Sequence, residues 1–119
     1  MVEISFSRNW NSKLNNDIFS TIRVYDPMKL IYYEKNLNKP FDIVLNYQKI
    51  GKAELFKIQV ETMAMIPYGM LMLDTGEINI TIIRDIFIKF GIKNDDDKVI
   101  ILWFKRKDDN KIQGNQNEI

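Results

Sequence analysis

The sequence predicts a small α+β domain: a mostly antiparallel β-sheet curled into a barrel, with one or two flanking helices. Three observations predict it. The chain has 119 residues, enough for one domain and too few for two. About five short segments are rich in β-branched and aromatic residues, and most of their pairings would join neighbours in sequence, which favours antiparallel hairpins over parallel crossovers. Helical spacing of apolar residues occurs in only one or two places. The domain is expected over residues 1–106, with 107–119 a polar, flexible tail in which Gly114 stands and no apolar period survives.

The elements follow in order. Glu3 to Phe6 alternates and reads as a strand. In Ser7 to Asn16, Trp10 and Leu14 stand four apart, which suits a helical turn capped by Ser7 or Asn9. Ile18 to Tyr25 is a β-branched strand that Asp26-Pro27 terminates. Met28 to Pro40, with Tyr32, Tyr33, Asn36 and Asn38, reads as a loop with one extended piece. Phe41 to Tyr47 and Lys52 to Thr62 form a hairpin around a turn at Gln48 to Gly51. In its second strand Ala53, Leu55, Lys57, Gln59 and Glu61 share one face. Met63 to Thr75 is apolar but irregular and holds Met63, Met65, Met70 and Met72, adaptable packing material or an adaptable binding surface. Within Glu77 to Phe90, Ile82, Ile83, Ile86, Phe87 and Phe90 recur at helical spacing, and Gly91 stands where a helix terminator belongs. Val99 to Lys105, with Trp103, is the closing strand.

Composition excludes more chemistry than any motif includes. The chain has no histidine and no cysteine. Catalytic triads with His, Cys/His zinc sites, disulfides, and haem or iron–sulfur clusters held by His or Cys are therefore ruled out. No carboxylate spacing suggests a cation loop, so no metal and no cofactor is expected. Seventeen basic residues against sixteen acidic ones leave a net charge of +1, which excludes a broadly basic nucleic-acid coat but not a local patch. No signal pattern opens the chain, and charges interrupt every apolar run well short of the roughly 18 residues of a membrane span. A cytoplasmic protein is the expectation.

The order of several motifs resembles a known family. Phe19-Ser20-Thr21-Ile22-Arg23 is similar to the "TTIR" strand of the activating signal cointegrator homology (ASCH) domains, which have the PUA-like fold. Ile50-Gly51-Lys52-Ala53-Glu54 resembles the family hairpin. Leu73-Asp74-Thr75-Gly76 resembles the acidic turn before the family helix, Ile82 to Phe90 that helix, and Val99 to Phe104 the closing strand. The resemblance spans Phe6 to Lys105. It implies a small barrel with a cleft beside it and an RNA or nucleoside ligand. One branch of the family resembles amidohydrolases of acetylated cytidine, with a lysine three residues before the threonine, that threonine, and a glutamate before the helix. Here the threonine falls on Thr21 and the following arginine on Arg23. The lysine position falls on Ile18, which can be neither base nor nucleophile. The acidic position falls near Thr75, with Asp74 and Glu77 the nearest carboxylates.

Candidate residues follow from chemistry and from this resemblance. Arg23 offers paired donors to a phosphate, or pins a carboxylate such as Asp74. Arg8 and Lys13 flank Trp10, an arrangement in which a ring stacks a base while cations hold phosphate. Thr21 offers a hydroxyl to the cleft. Asp74 is a base, an acceptor for an exocyclic amine, or the helix N-cap, with Thr75 its rival for that cap. Lys49 and Lys52 bracket the hairpin tip, and Lys105-Arg106-Lys107 forms a basic triplet. The leading expectation is a non-catalytic RNA- or nucleotide-binding module using Arg23, Lys13, Trp10, Arg8, Thr21 and Asp74. The second is a hydrolase of an acetylated cytidine-type nucleoside, with Lys13, Thr21 and Asp74 as catalytic candidates. The third is a protein-interaction module of phage or bacterial origin, with a protein partner at Met63 to Met72.

Overall fold

The computed structural model describes residues 2–6 and 14–107. The turn expected around Trp10 and the tail beyond Lys107 lie outside them. Five strands form one sheet: β1 (Glu3–Phe6), β2 (Ile18–Val24), β3 (Pro40–Leu45), β4 (Gln48–Thr62) and β5 (Lys98–Arg106), in the spatial order β1-β3-β4-β5-β2. Three pairings are antiparallel, and β1 pairs with β3 in parallel. The sheet is mixed and curls into a half-barrel, which leaves β1 and β2 as its two edges. The α+β class stands, with a sheet that closes only half a barrel and with three α-helices among the described residues.

Residues Met28 to Pro40 do not form the expected loop. α1 (Pro27–Lys35) occupies most of them. Asp26, read as the end of a strand, is also an N-cap. Its Oδ1 accepts from the backbone N–H of Met28 at 2.9 Å and of Lys29 at 3.4 Å. Pro27 then supplies the fixed φ of a first helical turn at no cost in hydrogen bonds. The helix buries Tyr33 in the core, a tertiary contact that offsets the mediocre helix propensity of Ile and Tyr.

The hairpin turn also shifts. Asn46 (φ 50°) and Tyr47 (φ 68°) form the two-residue connection, and Leu45 pairs directly with Gln48. Two successive positive φ values match the right-handed twist of the flanking strands. Gly51 therefore lies inside β4, opposite Ile43, beside a register shift. A second irregularity has larger consequences. Leu55 pairs with Phe104 and Lys57 with Trp103, so Phe56 is an extra residue bulged out of the ladder. Ala53 and Leu55 face one core, yet Lys57, Gln59 and Glu61 face the opposite side of the sheet, where a strict two-residue alternation would have kept all five together.

α2 (Tyr68–Thr75) and a short 3-10 helix (Met63–Met65) replace the irregular stretch, and Gly76 ends α2 in the left-handed conformation at φ 74°. α3 (Ile80–Lys89) is the expected second helix, capped by Asn79 through Thr81 at 2.9 Å. Gly91 terminates it at φ 96°, and the Ile92 amide donates back to the Phe87 carbonyl at 2.9 Å.

The sheet separates two cores. On one face Phe19, Tyr33, Phe41, Leu55 and Phe104 pack with Leu102, with Phe104 stacked on Phe19 at 5.4 Å and edge-on to Phe41 at 5.3 Å. On the other, α2 and α3 cover Ile22, Val99 and Ile101 with Leu71, Ile83 and Phe87. β5 lies between β4 and β2 and contributes to both cores, which explains its unbroken apolar run.

Candidate functional site

Two hollows flank the edge strand β2, and Asp74 lines both. The smaller, about 280 Å³, lies where the sheet edges approach. Its wall includes Thr21, Arg23, Lys29, Tyr33, Asp74 and Thr75. Three residues singled out in the sequence, Thr21, Arg23 and Asp74, thus share one hollow. Alternation places Thr21 and Arg23 on the same face of β2, and the Arg23 Nε donates to Thr21 Oγ1 at 3.1 Å. Its Nη2 donates to the Ser5 carbonyl of β1 at 2.9 Å, and its guanidinium carbon lies 4.7 Å from the Phe6 ring centroid. One side chain therefore bridges the two open edges of the half-barrel. Burial pushes the guanidinium below its usual range, while neighbouring Tyr33 and Asp74 pull it back. Burial also raises the Tyr33 phenol, and the Arg23 charge opposes that rise.

The larger hollow is a groove of about 580 Å³ on the opposite face of β2, β5 and β4. That volume lies within the range of small-ligand sites. Trp103 and Ile101 from β5 and Ile18 and Ser20 from β2 line it. Lys57, Gln59 and Glu61 stand along β4, and Met65, Pro67, Met70 and Asp74 form the helical rim. Register explains the assembly: Trp103 pairs with Ser20 on one side and with Lys57 on the other, and paired residues share a face. The Trp103 indole N–H donates to Gln59 Oε1 at 2.8 Å, which fixes the ring. The Lys57 ammonium lies 5.9 Å from that ring's centroid. The groove thus combines a held aromatic surface, one cation, two amides (Gln59 and Asn16) and two carboxylates.

The remaining sequence readings meet different outcomes. Arg8, Trp10 and Lys13 lie outside the described residues. Asp74 belongs to the last turn of α2 and does not cap α3; Asn79 does. Thr75 does not cap α3 either: its hydroxyl donates back to the Leu71 carbonyl at 2.8 Å and accepts from the Glu77 N–H at 3.2 Å, short of the helix start at Ile80. Lys49 and Lys52 both contact Asp42 Oδ1, at 3.1 and 3.2 Å, so the hairpin tip is a charge cluster and not a bare basic finger. Burial alone would raise the Asp42 carboxyl, but the two lysines outweigh it and hold the group below its ordinary range. The basic triplet is divided: Arg106 is buried and donates to the Leu14 carbonyl at 2.6 Å, and Lys107 contacts Glu54 at 3.2 Å. Of the four methionines, Met63, Met70 and Met72 pack against the second core, while Met65 is 68% exposed at the groove rim.

Sequence reasoning missed Trp103, Lys57, Gln59 and Glu61 as a group. Their polar alternation along one strand was visible, but only the bulge at Phe56 and the β4–β5 register carry them to the tryptophan. Among the described residues no three carboxylates converge on a cation site, and no helix is long and apolar enough to cross a membrane. Comparison with protein-family models, with curated proteins and with solved structures returns no match.

Proposed function

We propose that this protein is an ASCH-like, PUA-like binding module for a nucleotide or single-stranded RNA, with the ligand's base in the Trp103 groove. One observation carries the reading: an indole held at its N–H edge by Gln59 lines an open groove of nucleotide size that also presents a lysine. Aromatic faces stack any base, by about 1–3 kcal/mol each, and a neighbouring ammonium serves a phosphate or carbonyl oxygen. Binding without hydrolysis fits the residues present. Ile18 lines the groove at the position where the family lysine would stand, and Lys57 reaches it from a different strand with its side chain largely in solvent. Arg23, committed to Ser5 and Thr21, serves in this reading as the pin of the neighbouring wall.

The test is a titration of the full chain with nucleoside monophosphates and a short single-stranded RNA, followed by calorimetry at several salt concentrations. Binding to the RNA should weaken as salt rises, with a slope of about −0.7 per phosphate contacted. Trp103→Ala should reduce affinity by about tenfold or more, the equivalent of one lost stacked base. Undiminished affinity in that variant, or no binding of any nucleotide at millimolar concentration, refutes the proposal. Release of acetate from acetylated cytidine, followed by chromatography, would favour the hydrolase instead.

A further inference from the structure

The β4 wall of the groove carries a hydrogen-bonding pattern that distinguishes one base from the others. Gln59 Oε1 is occupied by the Trp103 indole N–H. The indole holds the carbonyl end of the amide, and the NH2 end is the donor that a ligand would meet. Two residues further along the same strand face, Glu61 offers a carboxylate, which accepts at two oxygens. Positions two apart on a strand are separated by about 7 Å, a gap that two long side chains close when they converge on one base edge. Lys57 stands one step earlier on that face, at the Trp103 ring, so a base whose edge spans Gln59 and Glu61 meets, in order, a donor, an acceptor and an acceptor.

We infer that the Trp103 groove selects guanine, its O6 accepting from the Gln59 NH2 and its N1–H and N2–H2 donating to the Glu61 carboxylate. This rests on the nucleotide-binding reading above and names the base within it. The other bases match less well. Uracil satisfies Gln59 with O4 and Glu61 with N3–H, but its O2 then confronts the carboxylate. Adenine and cytosine begin with an exocyclic amine, which opposes the Gln59 NH2, and place acceptors toward Glu61, N1 in adenine and N3 and O2 in cytosine. Inosine has the guanine edge without the 2-amino group and so tests the second carboxylate contact by itself. A charge-assisted, two-point contact to a base edge discriminates by about tenfold or more.

The experiment compares GMP, IMP, UMP, AMP and CMP by calorimetry on the full chain. GMP should bind at least tenfold more tightly than AMP or CMP, with IMP and UMP between them. Glu61→Gln should lower GMP affinity about tenfold and leave CMP affinity within twofold. Because the IMP comparison uses the unaltered protein, a variant that misfolds does not decide the matter. Equal affinity for all five nucleotides, lost in Trp103→Ala, overturns the guanine assignment and leaves the nucleotide reading standing. Absence of binding by all five overturns both.

Discussion

Replacing Arg23 with methionine tests whether this residue is a structural bridge or a ligand contact. The substitution keeps length and apolar volume but removes every donor. The Nη2 bond to the Ser5 carbonyl (2.9 Å) and the Nε bond to Thr21 Oγ1 (3.1 Å) disappear, as does the contact over the Phe6 ring at 4.7 Å. Hydrogen bonds from a charged donor contribute about 1.5–3 kcal/mol each, and an arginine over a ring about 0.5–2 kcal/mol. Against this stands the cost of burying a guanidinium, which shows in its depressed pKa. The Ser5 bond is also solvent-exposed and contributes at the low end of the range. The balance is a destabilisation of about 1–3 kcal/mol, or a fall in Tm of roughly 4–15 °C for a domain of this size. Urea and thermal unfolding of wild type, Arg23→Met and Arg23→Lys measure it. Lysine keeps the charge but can reach only one of the two acceptors at a time, so it should recover part of the loss. GMP affinity should stay within twofold in the variants under conditions where they remain folded, because Arg23 is absent from the Trp103 groove. Stability unchanged within 0.5 kcal/mol, or nucleotide binding abolished in a variant that keeps wild-type stability, would refute the bridging role.

Other perturbations have equally definite outcomes. Asp42 has a folded-state pKa below its ordinary value of 3.8, so it contributes stability that is present above that value and is lost as pH falls through the lower folded one. Between pH 5 and pH 2 wild type should lose more stability than Asp42→Asn, measured by urea unfolding; parallel curves would contradict the lysine pairing. Gly91→Ala should cost about 1–2 kcal/mol. The added Cβ would meet Val24 Cγ2 at an ordinary 3.9 Å, so the loss comes from the φ of 96° and not from a clash. An unchanged Tm would show that the α3 terminus relaxes freely. Asp26→Ala should cost about 1 kcal/mol, since it removes the acceptor of two α1 amides. Circular dichroism and Tm together report it, and full retention of both would mean that α1 is held by Tyr33 packing alone.

The strands were legible because their determinants are local. β-branched runs at Ile18 to Val24 and Val99 to Phe104 have few other backbone options, and α3 announced itself through apolar spacing and Gly91. α1 was not legible in the same way. Asp-Pro both ends a strand and begins a helix, and the choice falls to Tyr33, which finds the core formed by Phe41 and Phe104, residues far along the chain. The turn at Asn46 and Tyr47 escaped notice because the nearby Gly51 is the more conspicuous turn former, while the register of β3 against β4 selects the pair before it.

The amino-acid order by itself determined the class of the domain, the absence of thiol and imidazole chemistry, and the positions of its strands. Those follow from side-chain shape, composition and short-range periodicity. Only the tertiary structure decided where chemistry gathers. A single residue bulged at Phe56 turns Lys57, Gln59 and Glu61 to the other side of the sheet, and pairing between β4 and β5 then sets them beside Trp103. Curling of the sheet brings Arg23 to Ser5, eighteen residues earlier in the chain. A pairing register is a property of two segments at once, so no reading of either strand alone contains it.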